Sequence, residues 1–453
     1  MFVCLNDLVD TLKLQFYCSD VEKDKLHFNL HVSHYMDLKN EAMTIKSDDP
    51  QQRYKMTSID KIKFRVMATT QKGFNVVLQN GDFTLSLRKI DDKNHNPVVK
   101  AEFRAEFLLR CGYQKAINIV VETVEEMLKN YFIKVSEIHL AKDVQKYNFS
   151  MLDFYRLKTL KRNKEIFNQD TNIYYSGLKF TGFSVGKGAE MLRIYNKTHE
   201  IDKNKNKAFV KYLSWDYNPS YDETLPVWRI EFQLRREKLK QLYSSWGMVE
   251  SLQSLLKSIG SLWDYLINTF VLKDLSIKEC QEIQAGYRFK GDELLILNAD
   301  TVKKRFQRAN LSPLWSFIST FKGNIVEKLQ KIKDIKKPAS MYVKNAFKAV
   351  LSTFIKLKRG AFNSYELTEI LIEADKELQQ KKKINIVDNA RLKTLDYCSR
   401  AKDYYNHTGI DEIQYNNYSQ QLRKNLMDTF VLIDGKESTI QTFKEFNKRL
   451  KIA

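Results

Sequence analysis

The stretch LRIYNKTHE, at 192–200, carries Arg193, Tyr195 and Lys197 at alternate positions. In an extended strand these three side chains share one face, because successive side chains alternate sides. A phenol between two cations can hold a phosphate against its hydroxyl; the plainer reading is the wet outer face of a sheet. Two further segments repeat the arrangement. EIHLAKDV puts His139, Ala141 and Asp143 opposite Ile138 and Leu140, and WRIEFQLRR, at 228–236, puts Arg229, Glu231, Gln233 and Arg235 opposite Trp228, Ile230, Phe232 and Leu234. As neighbours, the three strands would combine one apolar face with one bearing a nucleophile, carboxylates, an imidazole and cations. That is an inventory for phosphoryl transfer to tyrosine. A divalent metal held by carboxylate and imidazole would polarise the phosphate, and Arg and Lys would spread the charge of the transition state. A phenol that titrates near about 10 is a weak nucleophile at neutral pH, so cations or a metal must favour the phenolate. Singly, each residue has a plainer role: His139 as a hydrogen-bonded surface histidine, Glu231 as a partner in a cross-sheet ion pair, Tyr195 as one packed tyrosine among 23. The joint pattern carries the expectation.

The elements that must position these residues follow from periodicity. LHFNLHV, KIKFRVMA, GFNVVLQNG, FTLSLRKI and VVKAEFRAEF, within 25–110, read as strands, with Asn80-Gly81 supplying positive φ at a hairpin. A helix is expected over about 114–130, where Ile117, Val120, Val121, Val124, Met127 and Leu128 recur at helical spacing. Strands follow at about 134–144, 171–197 and 226–235. From about 248 the period becomes helical, with Leu252, Leu255, Leu256, Ile259, Leu262, Trp263 and Leu266 forming a stripe, and everything beyond reads as helix. A lysine-dense segment at 322–359 is broken by Pro338. The expected class is α+β, an antiparallel-rich sheet domain followed by an all-helical C-terminal region. Its domains are 1–335, with a core at about 60–240 and a helical extension at about 248–335, and a basic helical domain at 336–453.

The 453 residues carry a net charge of +20, which points to a polyanion and above all to nucleic acid. No apolar run approaches a membrane span, and the N-terminal MFVCLNDLVD has acids where a signal peptide needs bases, so a cytoplasmic location is expected. Cys4, Cys18, Cys111, Cys280 and Cys398 form no CxxC pair, which favours isolated thiols over a zinc site. TGFSVGKGAE, at 181–190, fails as a nucleotide-phosphate loop. Three residues separate Gly182 from Gly186, and Gly188 follows Lys187 where a magnesium-binding hydroxyl belongs. A hairpin turn or a direct DNA contact through Lys187 remains.

TGFSVGKGAEMLRIYNKTHEI followed by VWRIEFQLRREKL, together with HLAKDV and VVKAEFRAEFLLRCGYQKA, resembles the replication initiation factor family. This family comprises the rolling-circle Rep proteins of plasmids and filamentous phages, related to nicking relaxases of integrative conjugative elements. The resemblance covers roughly 60–240 and extends to about 330. It implies a metal-dependent single-strand endonuclease whose tyrosine attacks the origin phosphate, stays linked to the 5′ phosphate and frees a 3′ hydroxyl primer. Carried over by position, Tyr195 is the nucleophile with Arg193 and Lys197 beside the phosphate. Glu231 and Asp143 match the family's acidic positions, and His139 stands where an aspartate is commoner. His139, Asp143 and Glu231 would then hold Mg or Mn, while Lys187, Arg229 and Arg235 are candidate DNA contacts. The His-hydrophobic-His pair of the wider nickase superfamily is missing, since HVSH at 31–34 has the wrong spacing for one strand face. The implied partners are origin DNA, a host helicase and polymerase (the chain has no motor motif) and a second copy of the chain. Alternatives are a conjugative relaxase with the same chemistry and a non-catalytic origin-binding protein.

Overall fold

The computed structural model describes residues 2–91, 96–159, 171–321, 327–331, 348–353, 364–382, 385 and 389. The chain divides into two compact units, Met1–Lys331 and Ile332–Ala453. In chain order, the elements that build the first unit's sheet and its cover begin with β1 (Val3–Cys18), α1 (Val21–Met43), β2 (Tyr54–Ile59), β3 (Ile62–Met67) and β4 (Val76–Gln79). β5 (Phe83–Leu87), β6 (Val99–Phe103), α2 (Ala105–Cys111), α3 (Tyr113–Glu125) and β7 (Tyr131–Gln145) follow. Next come α4 (Met151–Arg156), β8 (Leu157–Thr159), β9 (Thr171–Ser176), β10 (Lys179–Lys187) and β11 (Glu190–Asn196). The set closes with α5 (Lys197–Lys203), α6 (Phe209–Leu213), β12 (Trp228–Arg235), α7 (Arg236–Leu239) and α8 (Leu252–Thr269).

Eleven strands form one sheet in the order β2-β3-β4-β5-β6-β1-β7-β12-β11-β10-β9, and every neighbouring pair is antiparallel. The α+β class with an antiparallel sheet is therefore the observed one. One face of the sheet packs its alternate residues, among them Leu12, Leu14, Ile138, Leu140, Leu192, Ile194, Ile230 and Phe232, against Phe28 and Val32 of α1, Val120 and Val124 of α3, and Ile259 and Trp263 of α8. Trp263 is fully buried and donates its indole N–H to the Ile318 carbonyl at 2.9 Å, which makes it core. A small second cluster of Leu5, Ile201, Val210, Trp215 and Val227 draws on α5 and α6.

Several expectations change. LHFNLHV lies in α1 and not in a strand. Its apolar residues alternate, but the helix buries Phe28, Val32 and, beyond the segment, Tyr35, at helical spacing, while Leu26 and Leu30 are 75% and 63% exposed. Asp20 starts the helix by accepting the Lys23 N–H, an N-cap that a period-2 count overlooks. VVKAEFRAEF divides at Arg104, with β6 before it and α2 after it. The turn at Asn80-Gly81 uses no positive φ; the Asn80 side chain instead accepts the backbone N–H groups of Asp82 and Phe83, each at 2.8 Å. TGFSVGKGAE is a hairpin, β10 into β11, with Gly188 at φ +65° in the turn. The region beyond 248 is not all helical: Phe270–Leu272 pairs with β8, and Tyr287–Lys290 pairs with Glu293–Ile296. The lysine-dense 322–359 and the C-terminal domain expected at 336–453 lie mostly outside the described residues; Ser364–Lys382 is a helix. No helix among the described residues is long and apolar enough to cross a membrane.

Candidate metal centre and tyrosine site

β7, β12 and β11 are consecutive in the sheet, so the three patterned strands do present one common polar face. Register aligns it. Arg193 lies across from Glu231 and Tyr195 from Arg229, while Gln233 lies across from His139 and Arg229 from Asp143. Glu231 is the hub. Its Oε2 accepts the Tyr195 hydroxyl at 2.9 Å. Its Oε1 takes Arg193 Nη1 at 3.1 Å and lies 2.9 Å from His139 Nδ1. Arg193 also donates to Gln233 Oε1 at 2.8 Å. Burial alone would raise the Glu231 carboxyl, but the His139 hydrogen bond and the charges of His139, Arg193 and Arg229 outweigh it and hold it far below the usual carboxylate range. Burial also works against a charged His139, yet its bonds to Glu137 and Glu231 lift it above its ordinary value.

Tyr195 goes the other way. Burial and the Glu231 charge push its hydroxyl well above its ordinary value. The flanking cations alone do not favour a phenolate here, because the phenol is buried and its hydrogen-bond partner is an anion; of the two sources of charge the sequence argument allowed, a metal remains.

Lys197 is not on the strand face. β11 ends at Asn196, whose side chain accepts the His199 N–H and caps α5, and Lys197 is the first residue of that helix. Its ammonium lies 5.6 Å from the centre of the Tyr195 ring and 2.5 Å from Glu200 Oε2. Burial and the Arg229 charge lower its pKa. Glu200 is shared with Lys207, also at 2.5 Å.

The metal-ligand set differs from the expected one by one carboxylate. Asp10, His139 and Glu231 each offer an atom within 4.8 Å of the others. Asp143 has another task. It is fully buried and accepts Arg229 Nε at 2.6 Å, Arg229 Nη2 at 2.8 Å, Asn6 Nδ2 at 2.8 Å and Trp215 Nε1 at 2.8 Å. Four donors surround its two oxygens, and it is not among the groups that cluster at the candidate ion position. Arg229, expected at DNA, is likewise fully buried and spends its third nitrogen on Asp10 Oδ1 at 2.5 Å, so it anchors Asp10 instead of contacting a ligand.

Asp10 escaped the sequence argument because no strand was expected before residue 25, where β1 lies, and a bulge would have misled a period-2 count even there. Val9 pairs with Leu140 and Thr11 with His139, so Asp10 is the extra residue in β1. Counting back by twos from buried Phe16, Leu14 and Leu12 would put Asp10 on the core face; the bulge moves it to the polar one. The donor set, two carboxylates and one imidazole on three rigid strands, fits a manganese- or magnesium-type ion.

These groups open into a cleft of about 910 Å³, lined also by Arg104, Tyr174, Tyr175, Lys203, His199 and Lys207. Tyr174 and Tyr175 are part-exposed on edge strand β9, with the Tyr174 hydroxyl donating to Ser184 Oγ at 2.9 Å. The remaining expected DNA contacts, Lys187 and Arg235, are exposed at the end of their strands and do not line the cleft. Gly182 lies across from Tyr195, and a Cβ there would stand 2.3 Å from the Ile194 carbonyl oxygen and 2.8 Å from Tyr195 Cα. The expected glycine-lysine loop thus contributes a close backbone approach behind the tyrosine, through a glycine outside the GKG triplet.

No protein-family model matches the chain, and no curated protein matches it. Among solved structures it is similar to a rolling-circle replication initiator protein from Geobacillus stearothermophilus, at 12% identity and a TM-score of 0.35, with 72% of this chain and 100% of that chain covered.

Proposed function

We propose that the chain is a metal-dependent DNA nicking and joining enzyme that initiates rolling-circle replication, with Tyr195 as the nucleophile. The observation that carries the reading is the contact of the Tyr195 hydroxyl with Glu231, itself one of three clustered candidate metal ligands, inside a cleft edged with cations. The resemblance of the RIYNK and WRIEFQLRR segments to replication initiation factors supports the same assignment. Asp10, His139 and Glu231 would hold the ion, and when bound it supplies positive charge that favours the phenolate and the phosphate's developing charge. Without that charge the phenol is held protonated by burial and by Glu231.

The reaction is a transesterification. The Tyr195 oxygen bonds to phosphorus, the bond from phosphorus to the 3′ oxygen breaks, and that oxygen leaves as a 3′ hydroxyl after taking up a proton. The phenol proton is released to solvent in the cleft; Glu231 Oε2, its present hydrogen-bond acceptor, orients the hydroxyl but is held too acidic to keep the proton. Arg193, with its side chain 34% exposed and its guanidinium against Glu231, is the cation placed to hold a non-bridging phosphate oxygen. Because the phosphodiester energy is kept in the tyrosine ester, the strand can be rejoined. A conjugative relaxase would use the same residues.

The test is cleavage of single-stranded oligonucleotides tiling the replicon that carries the gene, each labelled at either end, with manganese. The reading requires a free 3′ hydroxyl that a polymerase extends and a 5′ end blocked by protein. A free 5′ phosphate would instead identify a hydrolytic nuclease. Binding without cleavage would identify a recognition protein.

A further inference from the structure

We propose that Glu137 is the positioning residue that fixes His139 for an ion held with Asp10 and Glu231; this rests on the metal-site reading above. Glu137 and His139 are two apart in β7 and so share the polar face. His139 Nε2 lies 3.0 Å from Glu137 Oε1, and Nδ1 lies 2.9 Å from Glu231 Oε1. The ring is clamped between two carboxylates with its side chain 9% exposed. Glu137 is itself held: Lys13 Nζ, from the facing position in β1, lies 2.8 Å from its Oε2, and Arg235 Nε lies 3.7 Å from its Oε1.

The two carboxylates differ in reach. Glu231 belongs to the cluster whose atoms converge on one point, whereas Glu137 does not. A hydrogen bond from Nε2–H to Glu137 therefore leaves Nδ1, the nitrogen beside Glu231, as the one free to ligate. It sets both the tautomer and the ring plane, the usual role of a carboxylate behind a metal-bound histidine. Arg235 then has a place in the site without touching the cleft: it helps hold Glu137.

Manganese affinity of the full chain, read by electron paramagnetic resonance of free Mn²⁺ at one pH, separates the alternatives. Glu137→Ala is expected to weaken binding about 10- to 100-fold. Glu137→Gln, which keeps an acceptor oxygen at the same reach, is expected to bind within about threefold of wild type. Glu137→Asp keeps the charge but withdraws the oxygen by one methylene, and is expected to lose affinity like the alanine variant. It also reads the proposal if the alanine variant fails to fold. Affinity restored by Asp and not by Gln would make Glu137 a source of charge only and overturn the proposal. So would unchanged affinity in the Ala or Asp variant beside a loss in His139→Ala; the nicking reading would survive either result. Failure of the wild-type chain to bind Mn²⁺ would instead overturn the metal centre itself, and the proposal with it.

Discussion

Asp10 and Asp143 lie on opposite sides of Arg229, and exchanging either for asparagine separates architecture from chemistry. Asp143 is fully buried and accepts four hydrogen bonds, two of them from the Arg229 guanidinium at 2.6 and 2.8 Å. Removing its charge leaves a buried cation with a single anionic partner. Breaking a buried pair in this way costs roughly 3–5 kcal/mol, which lowers Tm by about 3–7 °C in a chain of this size. Asp10 is 21% exposed and gives Arg229 one contact while Asp143 remains, so Asp10→Asn should cost only about 1–2 kcal/mol. Metal binding should respond in the reverse order. Asp10→Asn should weaken Mn²⁺ binding at least about tenfold, because a carboxylate ligand becomes a neutral amide, and Asp143→Asn should leave the affinity of its folded fraction unchanged. Calorimetric melting and Mn²⁺ titration on both variants provide the comparison. If Asp143→Asn melts like wild type and loses the metal, the geometric argument that moved the third ligand to Asp10 is wrong.

Acid should erase the difference between wild type and Asp143→Asn. Burial opposes the Asp143 charge but Arg229 more than offsets it, so the folded pKa is below that of the unfolded chain. The stabilisation is complete above the ordinary aspartate value of about 3.9 and is lost as pH falls through the folded value; a gap that already closes near neutrality would count against the pairing. Tyr195→Phe should abolish cleavage and keep oligonucleotide affinity within about twofold, since one hydrogen bond to Glu231 is lost and no cation is touched; residual cleavage at the wild-type rate would move the nucleophile to Tyr174 or Tyr175. Gly182→Ala, whose methyl would stand 2.3 Å from the Ile194 carbonyl oxygen at φ +151°, should cost about 1–3 kcal/mol of stability and slow cleavage by displacing β11. Normal cleavage and melting in that variant would mean that the β10–β11 pairing yields freely. Arg229→Met should melt early without changing the salt dependence of DNA binding; a shallower salt slope would return Arg229 to the interface.

What the sequence disclosed of the site was its alternation. Leu192, Ile194, Ile230, Phe232, Ile138 and Leu140 mark the core side of three strands, and Arg193, Tyr195, Glu231 and His139 fall opposite them without any knowledge of pairing. Alternation fails where the backbone leaves the strand or slips. Lys197 follows an Asn196 cap and enters a helix, so its place beside Tyr195 comes from a turn and not from the strand. Asp10 sits in a bulge whose existence depends on how β1 meets β7. Asp143 and Arg229 follow the alternation correctly, yet residues far away in sequence decide their role: Asn6, Trp215 and Asp10 satisfy them and close them off from any ligand. For α1 the error is one of period, because Leu26, Phe28, Leu30 and Val32 fit a strand until burial shows which of them meet the sheet.

The central claim is that the Tyr195 oxygen becomes bonded to DNA. The direct measurement is peptide mass spectrometry of the protein after incubation with manganese and a cleavable single-stranded oligonucleotide. The account predicts a nucleotide adduct on the peptide containing Tyr195, formed only with a divalent ion and absent when Asp10 or Glu231 is replaced by alanine. Cleavage with no adduct on any residue, or an adduct on a tyrosine outside the cleft, would contradict it.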